Sequence, residues 1–385
     1  MITLGLLAGL AFLLGLIAWR AHEFLTAFEP VAAGARPTPR LPQVTVVVPA
    51  RNEAENIERC VRSVLAQDYP ALRVVVVDDN STDATPAILA ALAASDPRLI
   101  VVRGRPLPSG WTGKNFALAQ AAPYLRGDWL LFIDADTWLE PTAVRAAVQH
   151  AQERHLGLLS LVPRQHLLSF WERVLQPVVL LVIALALPLR RMADPRRPDI
   201  AYANGQFLLV RRAAYEKVGG HAAQRDAVVE DCALARAVKQ AGYRVQLADG
   251  REVAHIRMYH DLRELWEGWS KNSFLSAGRR LSNVVLLVLA VTAVFFGPPL
   301  LAVTEVRALV GGGSVGTLLL TAVALLQFAG VLYLGWRCLR ELDVPARFTL
   351  ALPLGALLFN ALLCYSAYRV LSGRGVAWKG RIYAP

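Results

Sequence analysis

The chain has 385 residues, 55% of them hydrophobic, with a positive mean hydropathy and a formal net charge of +11. That is too apolar for a purely soluble protein and too charged for a purely membrane one, so a soluble domain joined to membrane segments is expected. The basic residues are dispersed and no nucleic-acid motif accompanies them, which sets aside a nucleic-acid partner in favour of a surface held against anionic lipid.

Residues 2–19 are uncharged and end in Trp19-Arg20. At about 1.5 Å per residue they just span a bilayer. They lack a basic n-region, and no small-residue cleavage site stands before the charges, so an anchor over 1–22 is preferred to a cleaved signal peptide. Pro30, Pro37, Pro39 and Pro42, with Arg36 and Arg40, predict an extended linker over 23–42. A soluble domain over 43–272 follows. Strands are predicted at 44–48, 74–77, 99–102 and 130–133, and helices at 53–67, 85–94 and 115–124. This alternation argues for a doubly wound α/β domain. Residues 174–189 are apolar but short and contain Pro177 and Pro188, which suits an interfacial or buried helix.

Residues 284–304, 315–336 and 348–370 are each long enough to cross a bilayer, within a membrane region at 273–371. A basic tail covers 372–385. Gly297-Pro298-Pro299 leaves two readings open, a full crossing or a re-entrant segment. The side on which the tail lies depends on that choice. Cys60, Cys232, Cys338 and Cys364 show no metal-ligand spacing and are expected as free, buried thiols.

Acidic clusters close three apolar runs: Asp78-Asp79 after Val74–Val77, Asp134-Ala135-Asp136 after Leu130–Ile133, and Glu230-Asp231 after Val228-Val229. Carboxyl ends of strands are where open α/β sheets bind ligands. Carboxylates crowded there repel one another unless a cation joins them. On an extended segment Asp134 and Asp136 point to the same side and can reach one Mg²⁺ or Mn²⁺, which favour oxygen ligands and substrate phosphates. Asp78 and Asp79 suit ribose or base donors, against a plain turn. Glu230 and Asp231 open a helix, where a carboxylate is favoured electrostatically or acts as a general base. Lys114, in Gly110-Trp-Thr-Gly-Lys114 before a helix, suits a phosphate, although the Walker A spacing is absent. Asn52 and Glu55 read equally as a helix cap. Trp266 and Trp269 share a helix face beside Lys271, as an aromatic belt or as stacking groups for a sugar.

In their order and spacing, PARNEAENI, VVVVDDNSTD, LLFIDAD and VVED resemble the family 2 inverting glycosyltransferases over about residues 43–272. PLPSGWTGKNFA, ADPRR, MYHDLRELWEGWSKN and AWKGRIY further resemble membrane enzymes that glucosylate carotenoids, and their hopanoid-associated relatives. The resemblance implies a GT-A type fold and a nucleotide-diphospho-sugar donor, UDP-glucose foremost. It implies Mg²⁺ or Mn²⁺ and a lipid acceptor. Pro49, Arg51, Glu53, Asp78, Asp79, Lys114 and Asp134 would face the donor. Asp134 and Asp136 would hold the metal, Asp136 being the better ligand. Asp231, with Glu230 beside it, would be the base. Trp266, Trp269 and Lys271 fall on the acceptor or sugar side. A multi-pass protein of the cell membrane with a cytoplasmic catalytic domain is the corresponding location. No QxxRW element occurs, so transfer of a single sugar is expected rather than polymerisation. The rival readings are a polyprenyl-phosphate sugar synthase and a non-catalytic nucleotide-sugar-binding scaffold.

Overall fold

The computed structural model describes residues 2–32, 34, 41–194, 196–378 and 381–383. They divide into two compact units: Phe28–Gln165 with Pro188–Met258, and Met1–Ala27 with His166–Leu187 and Tyr259–Pro385.

The first is an α/β unit. Its strands are β1 (Val44–Ala50), β2 (Leu72–Asp78), β3 (Leu99–Arg103), β4 (Trp129–Phe132), β5 (Thr137–Leu139), β6 (Leu156–Val162), β7 (Arg164–Gln165), β8 (Leu208–Arg211), β9 (Arg244–Asp249) and β10 (Ala254–Ile256). Seven of them form one sheet in the order β3-β2-β1-β4-β8-β6-β9, and β5, β10 and β7 form a small second sheet. The expected α/β fold is present. The sheet is mixed, because β8 runs antiparallel to both β4 and β6 while β1, β2, β3 and β4 are parallel.

The strands read as unbroken apolar runs because both faces are covered. Val44, Val46 and Val48 belong to one core, with Ile57, Val61, Leu89 and Val144 from helices on that face. Val47, Val75 and Val77 belong to another, with Ala117, Leu118, Leu234 and Val238. Period-two alternation thus feeds two cores from one strand. Two predicted helices are trimmed. The first starts at Ile57 rather than residue 53; residues 54–56 form a turn, with Asn56 N donating to the Glu53 carbonyl at 2.9 Å. The helix expected to reach Tyr124 stops at Gln120 and gives way to a 3₁₀ turn, Ala122–Tyr124, at Pro123.

The second unit is helical: Ile2–Ala27, Phe170–Ala186, Leu262–Ser276, Leu281–Val310, Val315–Glu341 and Leu352–Leu371. Four of its segments, Thr3–Ala27, Leu281–Val310, Val315–Glu341 and Ala346–Leu371, are long and apolar enough to cross a membrane. Their outer surfaces keep large apolar side chains exposed, among them Phe12 at 75% and Leu326 at 73%, as lipid-facing helices do. The re-entrant reading of 284–304 is not what forms. Leu281–Val310 is one continuous helix with Pro298 and Pro299 inside it. Polar side chains join the spans: Gln327 Nε2 donates to the Leu7 carbonyl at 2.6 Å, and Thr321 Oγ1 to the Glu305 carbonyl at 3.1 Å.

Several boundaries move. The N-terminal helix runs past residue 22 to Ala27, because no breaker precedes Pro30 and Arg20 pairs with Glu23 across one turn. Of the expected linker, Val31 N donates to the Asp249 carbonyl at 2.8 Å, so its start is docked on β9, while Arg36, Pro37, Pro39 and Arg40 lie outside the described residues. Residues 166–187 and 259–272, expected within the soluble domain, group instead with the apolar helices. Close packing explains this. A Cβ at Gly355 would fall on the Val174 carbonyl oxygen, and Ser366 Oγ accepts from Phe274 N at 3.1 Å. In the tail, Val376–Trp378 and Arg381–Tyr383 pair as antiparallel strands, and Lys379 lies outside the described residues.

Candidate active site

The chain leaves β1 in opposite directions: β2 and β3 lie on one side of it, β4 on the other. That reversal makes the gap between β1 and β4 the topological switch point, where a doubly wound sheet opens a ligand crevice. The β1–β4 ladder ends at Val47–Phe132. Ile133 N still donates to the Val47 carbonyl at 3.2 Å, and beyond it Pro49 has no N–H to continue the pairing towards β4. A small recess opens at this gap, lined by Pro49, Lys114, Asp134, Gly205, His221, Glu230 and Asp231 together with the apolar Leu118, Phe132, Ile133 and Leu208.

Two helix N-termini and the end of β4, which carries Asp134, supply its charges. Lys114 is the second residue of Gly113–Gln120, and Glu230 and Asp231 open Glu230–Gln240. Asn115, fully buried, straps the two together: its Nδ2 donates to the carbonyls of Gln224 (2.5 Å) and Ala227 (3.0 Å) in the segment leading to Glu230. Lys114 Nζ then stands 2.6 Å from Asp134 Oδ1 and 2.6 Å from Glu230 Oε1. Asp231 accepts from Gly205 N at 2.7 Å and from Cys232 N at 2.7 Å, which fixes both carboxylate oxygens.

Three carboxylates share one ammonium, and the electrostatics follow. Burial pushes Asp231 up to about 7; Glu230 adds to the rise, while Lys114 and the two backbone N–H groups oppose it. Burial works against the Lys114 charge, yet Asp134, Glu230 and Asp231 together hold its proton well above the usual range. Gly205 lets the charged side-chain ends approach the backbone closely. A Cβ there would lie 2.9 Å from Lys114 Nζ and 3.3 Å from Asp231 Oδ2. Neither Gly205 nor His221 was singled out from sequence. The signal for Gly205 lay in a glycine between Asn204 and Gln206, and for His221 in the pair Gly219-Gly220, which take φ of 73° and 56°.

The other expected residues lie elsewhere. Asp134–Thr137 is a turn, with Thr137 N donating to the Asp134 carbonyl at 3.1 Å, so the Asp-Ala-Asp element is not the extended segment expected. Asp134 lines the recess and Asp136 does not; Asp136 acts instead on the Arg59 guanidinium, itself stacked on Trp138 at 3.8 Å. Arg51, Glu53, Asp78 and Asp79 form a hydrogen-bonded region at the ends of β1 and β2, outside the lining. Arg51 Nη1 donates to the Asp79 carbonyl (2.6 Å), Asn56 Nδ2 to Glu53 Oε2 (3.3 Å), and Ser81 N to Asp78 Oδ1 (3.1 Å). Asn52 does not cap the helix. Its Oδ1 accepts from Thr82 N at 2.8 Å and ties the two loops. Trp266, Trp269 and Lys271 belong to the helical unit, where Trp269 Nε1 donates to Gln176 Oε1 at 2.8 Å and Trp266 packs on Tyr365. The cysteines are free; Cys60 and Cys232 are buried, Cys338 is partly exposed and Cys364 is exposed, so full burial fails for two of the four.

Among the described residues no three His, Cys, Asp or Glu side chains gather at metal-ligand distance. Mg²⁺ and Mn²⁺ need less, since one or two carboxylates plus substrate phosphates suffice. Asp134 and Asp136, two oxygen donors on one turn at the strand end, fit that requirement.

Residues 45–219 match the family model described as "Glycosyl transferase family 2". Among curated relatives, 4,4'-diaponeurosporenoate glycosyltransferase of Staphylococcus aureus (strain MRSA252) is 29% identical over 61% of this chain and 62% of its own length. The enzyme of that name from Staphylococcus haemolyticus (strain JCSC1435) is 24% identical over 64% of this chain and 65% of its own. The match therefore spans less than two thirds of these relatives. A mannosyltransferase from Pyrobaculum calidifontis, solved with GDP-Man and Mn²⁺, superposes with a TM-score of 0.52 at 24% identity, covering 92% of this chain and 98% of that one, and shares the fold.

Proposed function

We propose, from the match of residues 45–219 to the family 2 glycosyltransferase model, that the chain is a membrane hexosyltransferase. It moves one sugar from a nucleotide-diphospho-sugar, UDP-glucose foremost, to a lipid oxygen with inversion at the anomeric carbon. The observation that carries this reading is Asp231: a buried carboxylate at the switch-point recess, held by two backbone N–H groups, with its proton affinity raised towards neutrality. A general base is most effective with a pKa near the working pH.

In the reaction Asp231 takes the proton of an acceptor hydroxyl as that oxygen attacks the anomeric carbon. The carbon–oxygen bond to the diphosphate breaks on the opposite face. Lys114, bridging Asp134 and Glu230, holds positive charge beside the departing phosphates. Asp134 and Asp136 would hold a divalent cation. When bound, Mg²⁺ or Mn²⁺ offsets the charge growing on the leaving diphosphate. Pro49 lines the recess, and the region of Arg51, Glu53, Asp78 and Asp79 at the adjoining strand ends suits the nucleoside.

The activity named for the Staphylococcus relatives supports a carotenoid-type acceptor, with a hopanoid as the alternative. The four apolar helices give such an acceptor a membrane to reside in. Trp266, Trp269 and Lys271 are assigned to the acceptor side. The catalytic unit is placed in the cytoplasm of a multi-pass cell-membrane protein, because Arg337, Arg340 and Arg347 surround the 342–351 connection, two crossings away, and cytoplasmic loops favour arginine. A polyprenyl phosphate acceptor and a non-catalytic scaffold are the competing readings.

Membranes bearing the wild-type chain are incubated with labelled UDP-glucose and the lipid products weighed by mass spectrometry. Label on a carotenoid or hopanoid is expected. Label confined to phosphorylated polyprenol rejects the acceptor assignment. Asp231→Asn should lower transfer by about 10²–10⁴-fold. Its amide can accept from only one of the two backbone N–H groups, so circular dichroism of the variant accompanies the assay. A folded Asp231→Asn chain with wild-type output supports the scaffold instead.

A further inference from the structure

We propose that His221 contacts the transferred sugar, donating a hydrogen bond from Nε2–H to a sugar oxygen and thereby helping to select the donor. This rests on the nucleotide-sugar reading above.

His221 is 1% exposed, yet it lines the recess alongside Lys114, Asp134 and Glu230. Its ring is held rigidly. Phe132 meets it edge-on at 4.7 Å between centroids, and the Tyr215 hydroxyl lies 2.9 Å from Nδ1. The His221 backbone N–H also donates to the Tyr215 oxygen, at 3.1 Å. Those two contacts decide the tautomer. Tyr215 has one hydroxyl proton, and Nδ1 is its acceptor among the described residues. If Nδ1 carried a proton, the tyrosine oxygen would accept twice and its own buried proton would have no acceptor, a costly arrangement. Nδ1 therefore accepts, and the ring proton sits on Nε2.

Nε2 lies across the ring from Tyr215 and has no partner within the chain among the described residues. Glu230 and Lys114 act on the ring electrostatically without bonding to it. Burial lowers the imidazole to about 4, so it is neutral at physiological pH. The recess thus offers one neutral N–H donor beside its charged groups, and the complementary ligand group is a hydroxyl or ring oxygen. A site built to hydrogen-bond a substrate hydroxyl discriminates against ligands that lack it.

Two substitutions separate this role from packing. Asparagine reaches only as far as Nδ1, so His221→Asn keeps an acceptor for Tyr215 and loses the inward donor. Glutamine reaches the Nε2 position, so His221→Gln keeps a donor there. The full chain in lipid nanodiscs with Mn²⁺ is titrated calorimetrically with UDP-glucose and UDP, and with GDP-mannose and GDP. The expected result is that the wild type binds one sugar nucleotide more tightly than the matching free nucleotide. In His221→Asn that affinity falls by about 3- to 10-fold with free-nucleotide binding unchanged, and His221→Gln restores most of it. Equal weakening of nucleotide and sugar nucleotide, an unaffected His221→Asn, or a wild type with no sugar-dependent affinity overturns the proposal. Should sugar binding depend on His221 while no sugar reaches a membrane lipid, the enzyme reading fails and this one stands. Should transfer proceed with His221→Asn binding as wild type, this one fails alone.

Discussion

Lys114 Nζ, 2.6 Å from both Asp134 and Glu230, is the positive charge that lets three carboxylates occupy one recess. Its influence on Asp231 has a definite sign. Lys114 favours the ionised carboxylate, whereas burial and Glu230 favour the protonated one. As the proposed base, Asp231 must be ionised, so kcat/KM should rise with pH through about 7 in the wild type. In Lys114→Met the opposing charge is gone, and that limb should move to higher pH. An unmoved limb would show that a group other than Asp231 controls it. Gly205→Ala tests the same packing from the other side, since its Cβ meets the ammonium at 2.9 Å. It should lower kcat well before it lowers melting temperature; equal loss of both would mean the glycine serves the fold alone. Asp134 was legible in the sequence because it follows an apolar strand, and Glu230 and Asp231 because they stand together at the start of a helical pattern; the run Val228-Val229 before them is not a strand. Gly205 and His221 were not, because their importance is a matter of distance from side chains remote in sequence.

At the scale of elements, a buried asparagine and two helix starts organise the recess. Asn115 ties the N-terminus of Gly113–Gln120 to the carbonyls before Glu230–Gln240, so the ammonium and the carboxylates arrive on opposed helix ends. The alternation of strands and helices was legible from periodicity. The antiparallel β8 was not, because pairing direction is set by which strand lies beside it rather than by its own residues. The same holds for Phe170–Ala186. Its composition suggested an interfacial or buried helix, and its neighbours decided between the two: it packs within the helical unit. Gly355, against the Val174 carbonyl, is the contact most sensitive to size. Gly355→Ala should force the two helices apart and lower the thermal stability of the detergent-solubilised chain by about 1–3 kcal/mol, the usual range for overpacking. A melting curve identical to wild type would count against that packing.

For the whole molecule, four apolar helices and the arginines beside them set the expected topology. The 342–351 connection, flanked by Arg337, Arg340 and Arg347, should share a side with the α/β unit, and the uncharged Gly311–Ser314 turn should lie opposite. Single cysteines placed at each position in a chain lacking its four native cysteines, labelled with an impermeant maleimide in sealed vesicles, test this. Labelling of both from one side rejects it. Length and hydropathy gave the candidate spans but left 284–304 open as a crossing or a re-entrant segment. Continuity of Leu281–Val310 through Pro298-Pro299 had to come from packing, because neighbouring helices in lipid can sustain a helix that proline would end in water.

The sequence by itself determined the strand-end carboxylates, the two-sided burial of the central strands and the existence of membrane segments. Each of those is a local property, fixed by side-chain polarity and by the period of two or of 3.6 residues. Only the tertiary structure decided which carboxylates meet. Asp134, Glu230 and Asp231 converge on Lys114, while Asp78 and Asp79 join a neighbouring hydrogen-bonded region and Asp136 lies outside the recess. Electrostatic energy depends on separation in space, and burial on what covers a group, and neither is written in spacing along the chain.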